Sequence, residues 1–161
     1  MEDKFRKERA VQLRNEAEEL LLRGKLEGAI LLYNKSIDIF PTAEAHTYRG
    51  WAFSFQGRID AAINECKLAI ELDPAFGNPY NDIGSYLIAQ GKLDEAVTWL
   101  EEAKLAERYD PRHFPYMNLG RIYAAKGFLL RAIQEFEGAL TIAPGEPACL
   151  AAIEDLRTCL H

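Results

Sequence analysis

One glycine recurs along the chain inside segments whose apolar residues have helical spacing. Gly50 and Gly84 are 34 residues apart, and Gly120 follows after another 36. A glycine inside a helix is less favourable than alanine by about 1 kcal/mol, so its recurrence needs a structural reason. A regular spacing of this kind predicts an array of similar helical units of about 34 residues each.

Three further residue types keep the same register over four units. The second glycine of a unit lies seven residues after the recurring glycine. An alanine lies five residues after this second glycine, and a proline closes the unit. These markers are Gly24, Gly57, Gly91 and Gly127, then Ala29, Ala62, Ala96 and Ala132, then Pro41, Pro74, Pro111 and Pro144. The second glycine is expected to end one helix in the left-handed conformation, and the proline to end the next. Each unit is therefore predicted to be a hairpin of two helices, with no strands.

The recurring glycine has a packing explanation. Two helix backbones approach closely only where the side chains between them are very small. We expect the glycine of each unit to face the alanine of the same unit, which pairs Gly50 with Ala62, Gly84 with Ala96, and Gly120 with Ala132. Closer packing would offset the lost helix propensity, and leucine at these glycines would cost roughly 1–3 kcal/mol or more through overpacking.

Composition narrows the class of protein. The chain has 161 residues, 48% hydrophobic and 27% charged, which is typical of a globular domain with a sizeable core. Its net charge of −6 disfavours nucleic acid or an anionic membrane as the main partner. The start of the chain is charged and no apolar run approaches the roughly 20 residues of a membrane helix. We therefore expect a cytoplasmic protein without membrane insertion, whose cysteines are free thiols: Cys66, Cys149 and Cys159.

These units resemble tetratricopeptide repeats. The segment YMNLGRIYAAKGFLLRAIQEFEGALTIAP fits the family signature of aromatic residue, Leu-Gly, aromatic residue, alanine, aromatic residue and proline at almost every marker. The segments that begin at His46 and Tyr80 fit as well, and the first unit is the most divergent. The resemblance implies an all-α fold, a right-handed superhelix of about four helical hairpins plus a C-terminal capping helix. We expect one domain over 1–161, with repeats over about 10–42, 43–76, 77–112 and 113–146.

The capping helix is predicted over about 147–160. Its apolar residues share one helical face, expected to cover the apolar end of the last repeat: Cys149, Ile153, Leu156 and Leu160.

The resemblance also implies where a partner would bind. In the family, the first helices of the units line a concave surface that usually holds an extended peptide of a partner protein. Aligning the units places these residues there: Arg14, Thr47, Trp51, Phe55, Asn78, Asn81, Ser85, Ile88, Phe114, Met117, Asn118 and Arg121.

Several of these residues have a chemistry suited to a peptide. Trp51 and Phe55 lie one turn apart and off the packing stripe, so they either contact a ligand or pack on a neighbouring unit. The amides of Asn81 and Asn118 offer donors and an acceptor to a peptide backbone, although Asn118 has the alternative of supporting its hairpin. Arg121 is the best single anchor for a carboxylate.

Some family members clamp the C-terminal carboxylate of heat-shock chaperones with lysines, asparagines and an arginine spread over three units. The matching positions here carry Arg14, Glu18, Tyr48, Asn78 and Asp82 in one frame, and Thr47, Trp51, Asp82, Phe114 and Asn118 in the next. Neither set is basic enough, and the carboxylate of Asp82 would repel the ligand. That clamp is expected to be absent.

The sequence offers no pattern for catalysis. No nucleotide-binding loop is present, and His46, His113 and His161 do not pair at metal-ligand spacing. His46 and Cys66 both replace packing aromatics, so simple packing and a metal or thiolate pair are the two explanations for them. The acidic pairs Glu101–Glu102 and Glu135–Glu137 are expected to be solvated on outer faces of second helices.

The predicted function follows from the repeats and from what is missing. The chain is expected to be a protein–protein interaction module, an adaptor or assembly scaffold that holds an extended partner segment in the concave groove. It is not expected to be an enzyme or to hold a cofactor or metal. The alternatives are a self-assembling structural protein, which would form a homo-oligomer, and a small secretion-type chaperone.

Overall fold

Nine α-helices follow one another along the chain, and the computed structural model describes all residues 1–161. They are α1 (Glu2–Leu22), α2 (Leu26–Ile39), α3 (Ala43–Phe55), α4 (Ile59–Leu72), α5 (Asn78–Ala89), α6 (Leu93–Leu105), α7 (Phe114–Ala125), α8 (Leu129–Ile142) and α9 (Pro147–Thr158). The first eight form four hairpins, and no strand is present. The predicted all-α class and hairpin repeats are confirmed. None of the nine helices combines the length and the apolar character needed to cross a membrane.

The chain divides into two compact units, Met1–Pro79 and Tyr80–His161. The first unit contains the hairpins α1–α2 and α3–α4. The second contains nearly all of the hairpin α5–α6, the hairpin α7–α8, and α9. The single domain over 1–161 stays a prediction.

The bend inside each hairpin is set by the second glycine. Gly24, Gly57, Gly91 and Gly127 have φ angles of 76°, 80°, 76° and 82°, and no other residue type has a positive φ. The residue after each glycine donates its backbone N–H to a carbonyl in the preceding turn, as Lys92 does to Leu87 at 2.9 Å. This pattern caps a helix C-terminus, so the predicted left-handed glycine is confirmed.

The first helix is longer than the sequence pattern suggested. α1 begins at Glu2, whereas the first repeat was expected from about residue 10. Residues 2–9 are exposed. The guanidinium of Arg6 donates to the backbone carbonyl of Ile39 at 2.8 Å, which ties the extra turns to the end of α2.

The recurring glycines lie inside the hairpins, but only Gly50 has its predicted alanine as the nearest neighbour of a Cβ atom. A Cβ atom built on Gly50 would lie 3.2 Å from the carbonyl oxygen of Ala62. On Gly84 the nearest atoms belong to the side chain of Leu100, not to Ala96. The prediction for this hairpin is therefore corrected.

The same correction applies to the last hairpin. A Cβ atom on Gly120 would lie 2.7 Å from ring atoms of Phe136, so the glycine meets that ring first and not Ala132. Leu100 and Phe136 each follow their alanine by one turn, and these large side chains cover the glycines. The matching residue of the second hairpin is the small Cys66, which leaves room for Gly50 to reach the backbone of Ala62.

The C-terminal helix packs on α8 through its first two turns. Cys149 and Ile153 are buried, and Leu156 is half-buried. Leu160 is 45% exposed because the helix ends at Thr158. The helix is present as predicted, but Leu160 does not share its buried face.

Candidate functional site

The predicted groove residues of the first unit differ in how much surface they offer. Thr47 is fully buried, and its hydroxyl donates to the carbonyl of Ala43 at 2.8 Å. The guanidinium of Arg14 lies 3.7 Å from the carboxylate of Glu44, and both side chains are mostly covered. Asn78, the first residue of α5, is half-buried. Thr47 therefore presents no surface to a ligand.

The structure separates Trp51 from Phe55, although they are one turn apart. Trp51 is half-buried, packs against the core that contains Ala17 and Tyr33, and contacts Tyr48 in a tilted arrangement with ring centroids 5.0 Å apart. Phe55 is 67% exposed. Packing on a neighbouring hairpin, the alternative raised from the sequence, accounts for Trp51, while Phe55 remains accessible.

In the second unit, three predicted residues come together across α5 and α7. The side-chain amide of Asn118 donates to the carbonyl oxygen of Asn81 at 3.0 Å. The guanidinium of Arg121 donates to the side-chain oxygen of Asn118 at 3.2 Å. Both asparagines are 7% exposed, whereas Arg121 is exposed. Asn118 and Arg121 lie on one face of α7 because they are three residues apart.

The remaining predicted residues surround these three. Ser85 is exposed one turn after Asn81, and Ile88 is half-buried. Phe114 is 42% exposed, with its ring centroid 4.6 Å from that of His113. Met117 is only 6% exposed, so its side chain belongs to the core and offers little surface.

The sequence reasoning missed a buried ionic cluster in the first unit. Arg49 donates two hydrogen bonds to the carboxylate of Glu65, at 2.8 and 2.9 Å, and a third to Asn34 at 2.9 Å. His46 Nδ1 lies 2.8 Å from the same carboxylate. The signal was present, because Arg49 stands where the third and fourth repeats carry the buried Ile83 and Leu119. The imidazole of His46 thus has a carboxylate partner.

One of the acids expected to be solvated, Glu135, is both paired and largely covered. The carboxylate of Glu135 lies 2.9 Å from the ammonium group of Lys104, and both side chains are 14% exposed. The same ammonium group is 4.3 Å from the ring centroid of Tyr116. Glu135 therefore joins α8 to α6 and is not a solvated surface residue.

Burial controls protonation at three residues. It raises the pKa of the Tyr33 and Tyr109 hydroxyls above the usual range, so both remain neutral. The hydroxyl of Tyr33 is also without a hydrogen-bond partner. Burial, with a smaller contribution from Glu146, raises the pKa of the Cys149 thiol, which disfavours the reactive thiolate.

The tetratricopeptide repeat family model matches residues 43–76, 78–109 and 115–146. The chain is 34% identical over 90 residues to small glutamine-rich tetratricopeptide repeat-containing protein 2 of Mycosarcoma maydis, covering 55% of this chain and 26% of the relative. It is 27% identical over 137 residues to type IV pilus assembly protein PilF of Pseudomonas aeruginosa, covering 84% and 54%.

Solved structures of similar proteins agree with the match to the tetratricopeptide repeat family. A structure of Pseudomonas aeruginosa PilF superposes with a TM-score of 0.88 at 26% identity, covering 94% of this chain and 68% of that one. The second tetratricopeptide repeat domain of Spaghetti (RPAP3), bound to the HSP90 peptide SRMEEVD, superposes with a TM-score of 0.61 at 26% identity, covering 66% and 100%.

The chain spans about a quarter of the first curated relative and about half of the second. The repeat pattern, the four hairpins and the family match, which covers three of those hairpins, agree with one another. The chain belongs to the tetratricopeptide repeat family.

Proposed function

We propose that the chain is a protein-interaction module that holds an extended segment of a partner against the first helices of its hairpins. The observation that carries this proposal is the hydrogen-bonded series Asn81–Asn118–Arg121 on α5 and α7. It joins two amides, each 7% exposed, to the exposed cation of Arg121 in the second unit.

The chemistry of this series suits a peptide. The two hydrogen bonds engage both amide oxygens and one N–H of Asn118. The remaining amide N–H groups of Asn81 and Asn118 are donors of the kind that a peptide carbonyl accepts. Arg121 would pair with a carboxylate of the partner, and hydrogen bonds to charged groups contribute about 1.5–3 kcal/mol each. Exposed Ser85 extends the polar surface along α5.

The module is proposed to act as an adaptor or an assembly scaffold, by binding and not by catalysis. The likeness to a type IV pilus assembly protein over 84% of this chain supports the scaffold version. Self-assembly and a secretion-type chaperone are the alternatives. A cytoplasmic location stays a prediction.

The repeats of RPAP3 bind the HSP90 peptide SRMEEVD, which supports the proposal that the repeats of this chain bind a peptide segment. The expected absence of the carboxylate clamp makes a prediction about the same peptide. SRMEEVD should bind this chain no more tightly than a scrambled peptide of the same composition. Tight binding that Arg121→Glu leaves unchanged would show that another set of residues holds the carboxylate.

The direct experiment is affinity capture from the native lysate with matched variants. Arg121→Glu reverses the exposed cation, and Asn81→Ala removes one amide. Arg157→Glu is the control, because Arg157 is an exposed arginine of the same unit on α9. Trp51→Ala is unsuitable because Trp51 packs on the core.

Arg121→Glu and Asn81→Ala should each lose the captured partner, while Arg157→Glu retains it, with unchanged helicity in all three. Capture that survives both changes would rule out this surface. A molecular mass that rises with concentration, measured by light scattering, would favour the self-assembly alternative.

A further inference from the structure

The bend of the last hairpin differs in chemistry from the other three. In the first three hairpins a basic residue, an apolar residue and an acidic residue follow the left-handed glycine. In the last hairpin all three residues are apolar. The four sequences are Lys25-Leu26-Glu27, Arg58-Ile59-Asp60, Lys92-Leu93-Asp94 and Phe128-Leu129-Leu130.

The structure shows that this difference is on the surface. In each hairpin the middle residue is half-buried and its two neighbours are exposed. Phe128 is 56% exposed and Leu130 is 67% exposed, at positions where the other repeats carry charged side chains. Because the backbone has the same form at all four bends, the fold does not require apolar residues at these two positions.

These side chains border a depression at the surface. It is lined by residues Gly127–Arg131 together with Leu160, which is 45% exposed. We call these six residues the turn surface. The depression is shallow and open, and its apolar lining offers contact area to apolar side chains of a partner.

The charge around the turn surface is also unusual for this chain. Residues 123–134 contain Lys126 and Arg131 and no acidic residue, although the chain as a whole carries a net charge of −6. Lys126 is paired with Asp94. Arg131 lies 4.4 Å above the ring of Tyr123 and is exposed, without a carboxylate partner. The equivalent residue of the third hairpin is Glu95.

We propose that the turn surface binds an acidic amphipathic segment of a partner protein. The apolar side chains of that segment would fill the depression beside Phe128, Leu130 and Leu160, and a carboxylate would pair with Arg131. Arg131 is the one cation of the turn surface, and a single cation is too little for attachment to an anionic bilayer.

This proposal is independent of the surface formed by Asn81, Asn118 and Arg121. The variant Phe128→Lys/Leu130→Asp gives the last hairpin the Lys-Leu-Asp sequence of the third. Arg131→Glu copies Glu95 in the same way. Each new residue already occupies the equivalent position of the third hairpin, so the substitutions should be compatible with the fold. Thermal melting followed by circular dichroism would verify this.

The probe is a synthetic helical peptide of about 14 residues made of leucine, alanine and glutamate, with leucines at i and i+4 on one face. Its twin carries lysine in place of glutamate. Titration into isotope-labelled protein, followed by NMR, should shift the amide signals of residues 126–131 and 160. The double variant should weaken binding at least about tenfold. Arg131→Glu should abolish the preference for the glutamate peptide. Arg9→Glu, at an exposed arginine of the first unit, should leave binding of the peptide at the turn surface unchanged.

Four results would overturn the proposal. They are an absence of shifts at the turn surface up to millimolar peptide, equal binding of the lysine twin, and equal binding by the double variant. The fourth is a loss of another kind of binding in the double variant only. If the wild type binds phosphatidylserine vesicles and the double variant does not, the surface belongs to a membrane. If the wild type forms a concentration-dependent dimer and the double variant does not, the surface belongs to a second copy of the chain.

Discussion

The second hairpin, α3–α4, and the last hairpin, α7–α8, share the same glycine and alanine markers but fill their interiors differently. In the second, Gly50 lies against the backbone of Ala62, and a charged cluster around Glu65 is buried beside it. In the last, the ring of Phe136 covers Gly120.

The difference shows that the markers specify the hairpin but not what fills it. One position, one turn after the alanine, carries Tyr33, Cys66, Leu100 and Phe136 in the four hairpins. All four side chains are buried. The identity of this residue determines whether the glycine meets a backbone or a side chain, so the two hairpins should respond differently to substitution.

The largest expected effect is at the buried carboxylate of the second hairpin. Glu65→Ala leaves the guanidinium of Arg49, whose side chain is 18% exposed, without its bidentate partner. Breaking a buried ion pair by removing one partner costs about 3–5 kcal/mol, and we expect the lower end because Arg49 retains some exposure. Urea unfolding would measure this, with the exposed Glu71→Ala of the same helix as control. A loss no larger than that of the control would mean that the cluster contributes little.

The next effect contrasts the two glycines directly. Gly120→Ala places a methyl group 2.7 Å from the buried ring of Phe136. The expected overpacking loss is roughly 1–3 kcal/mol, reduced by about 1 kcal/mol of helix propensity. Gly50→Ala should be milder, because its nearest contact is 3.2 Å.

A double variant sharpens this contrast. Adding Phe136→Leu should recover part of the loss in Gly120→Ala, because leucine is smaller than the ring that the methyl group displaces. Thermal unfolding of the two single variants and the double variant gives the coupling between the two sites. If Gly50→Ala proved more damaging than Gly120→Ala, the explanation based on Phe136 would fail.

A smaller loss is expected in the first hairpin. The buried hydroxyl of Ser36 donates to the carbonyl of Ala10 at 2.6 Å, joining α2 to α1. The other hairpins carry alanine at this position, as at Ala69. Ser36→Ala should cost about 1 kcal/mol, the net contribution of one hydrogen bond. The control is Thr141→Ala, whose hydroxyl bond to Gly138 is exposed. Equal stability of wild type and Ser36→Ala would show that this bond adds nothing.

The smallest expected effect has the opposite sign. Tyr33→Phe removes a buried hydroxyl that has no hydrogen-bond partner, so stability should be unchanged or should rise by up to about 1 kcal/mol. Burial raises the pKa of this hydroxyl in the folded state. The wild type should therefore lose stability as the pH rises above about 10, where the unfolded-state hydroxyl ionises.

Tyr33→Phe should lose less stability in that range than the wild type. Tyr109 and Cys149, whose pKa values are also raised, contribute to the remaining alkaline sensitivity. Urea unfolding at pH 8 and above pH 10 compares the two proteins. A destabilised Tyr33→Phe at pH 8 would imply that the hydroxyl is hydrogen-bonded in solution.

The candidate site was only partly predictable from the sequence. Aligning the repeats identified Asn81, Asn118 and Arg121, which the structure brings together because they occupy related positions on the first helices of adjacent hairpins. The same alignment placed Thr47, Met117 and the two asparagines on the surface, and all four are buried, so that Arg121 is the exposed member of the series. Sequence position gives the direction of a side chain on its helix, but its exposure depends on how closely the next helix packs.

The sequence by itself determined the helical hairpins and their bends. Glycine at a positive φ, proline at the end of each unit and apolar residues at helical spacing act within a few residues of one another, so they can be recognised without a structure. Tertiary structure decided which side chain meets each glycine, and that Glu65 and Glu135 are paired. Those outcomes depend on the size and charge of residues on neighbouring helices, which sequence spacing alone does not bring into contact.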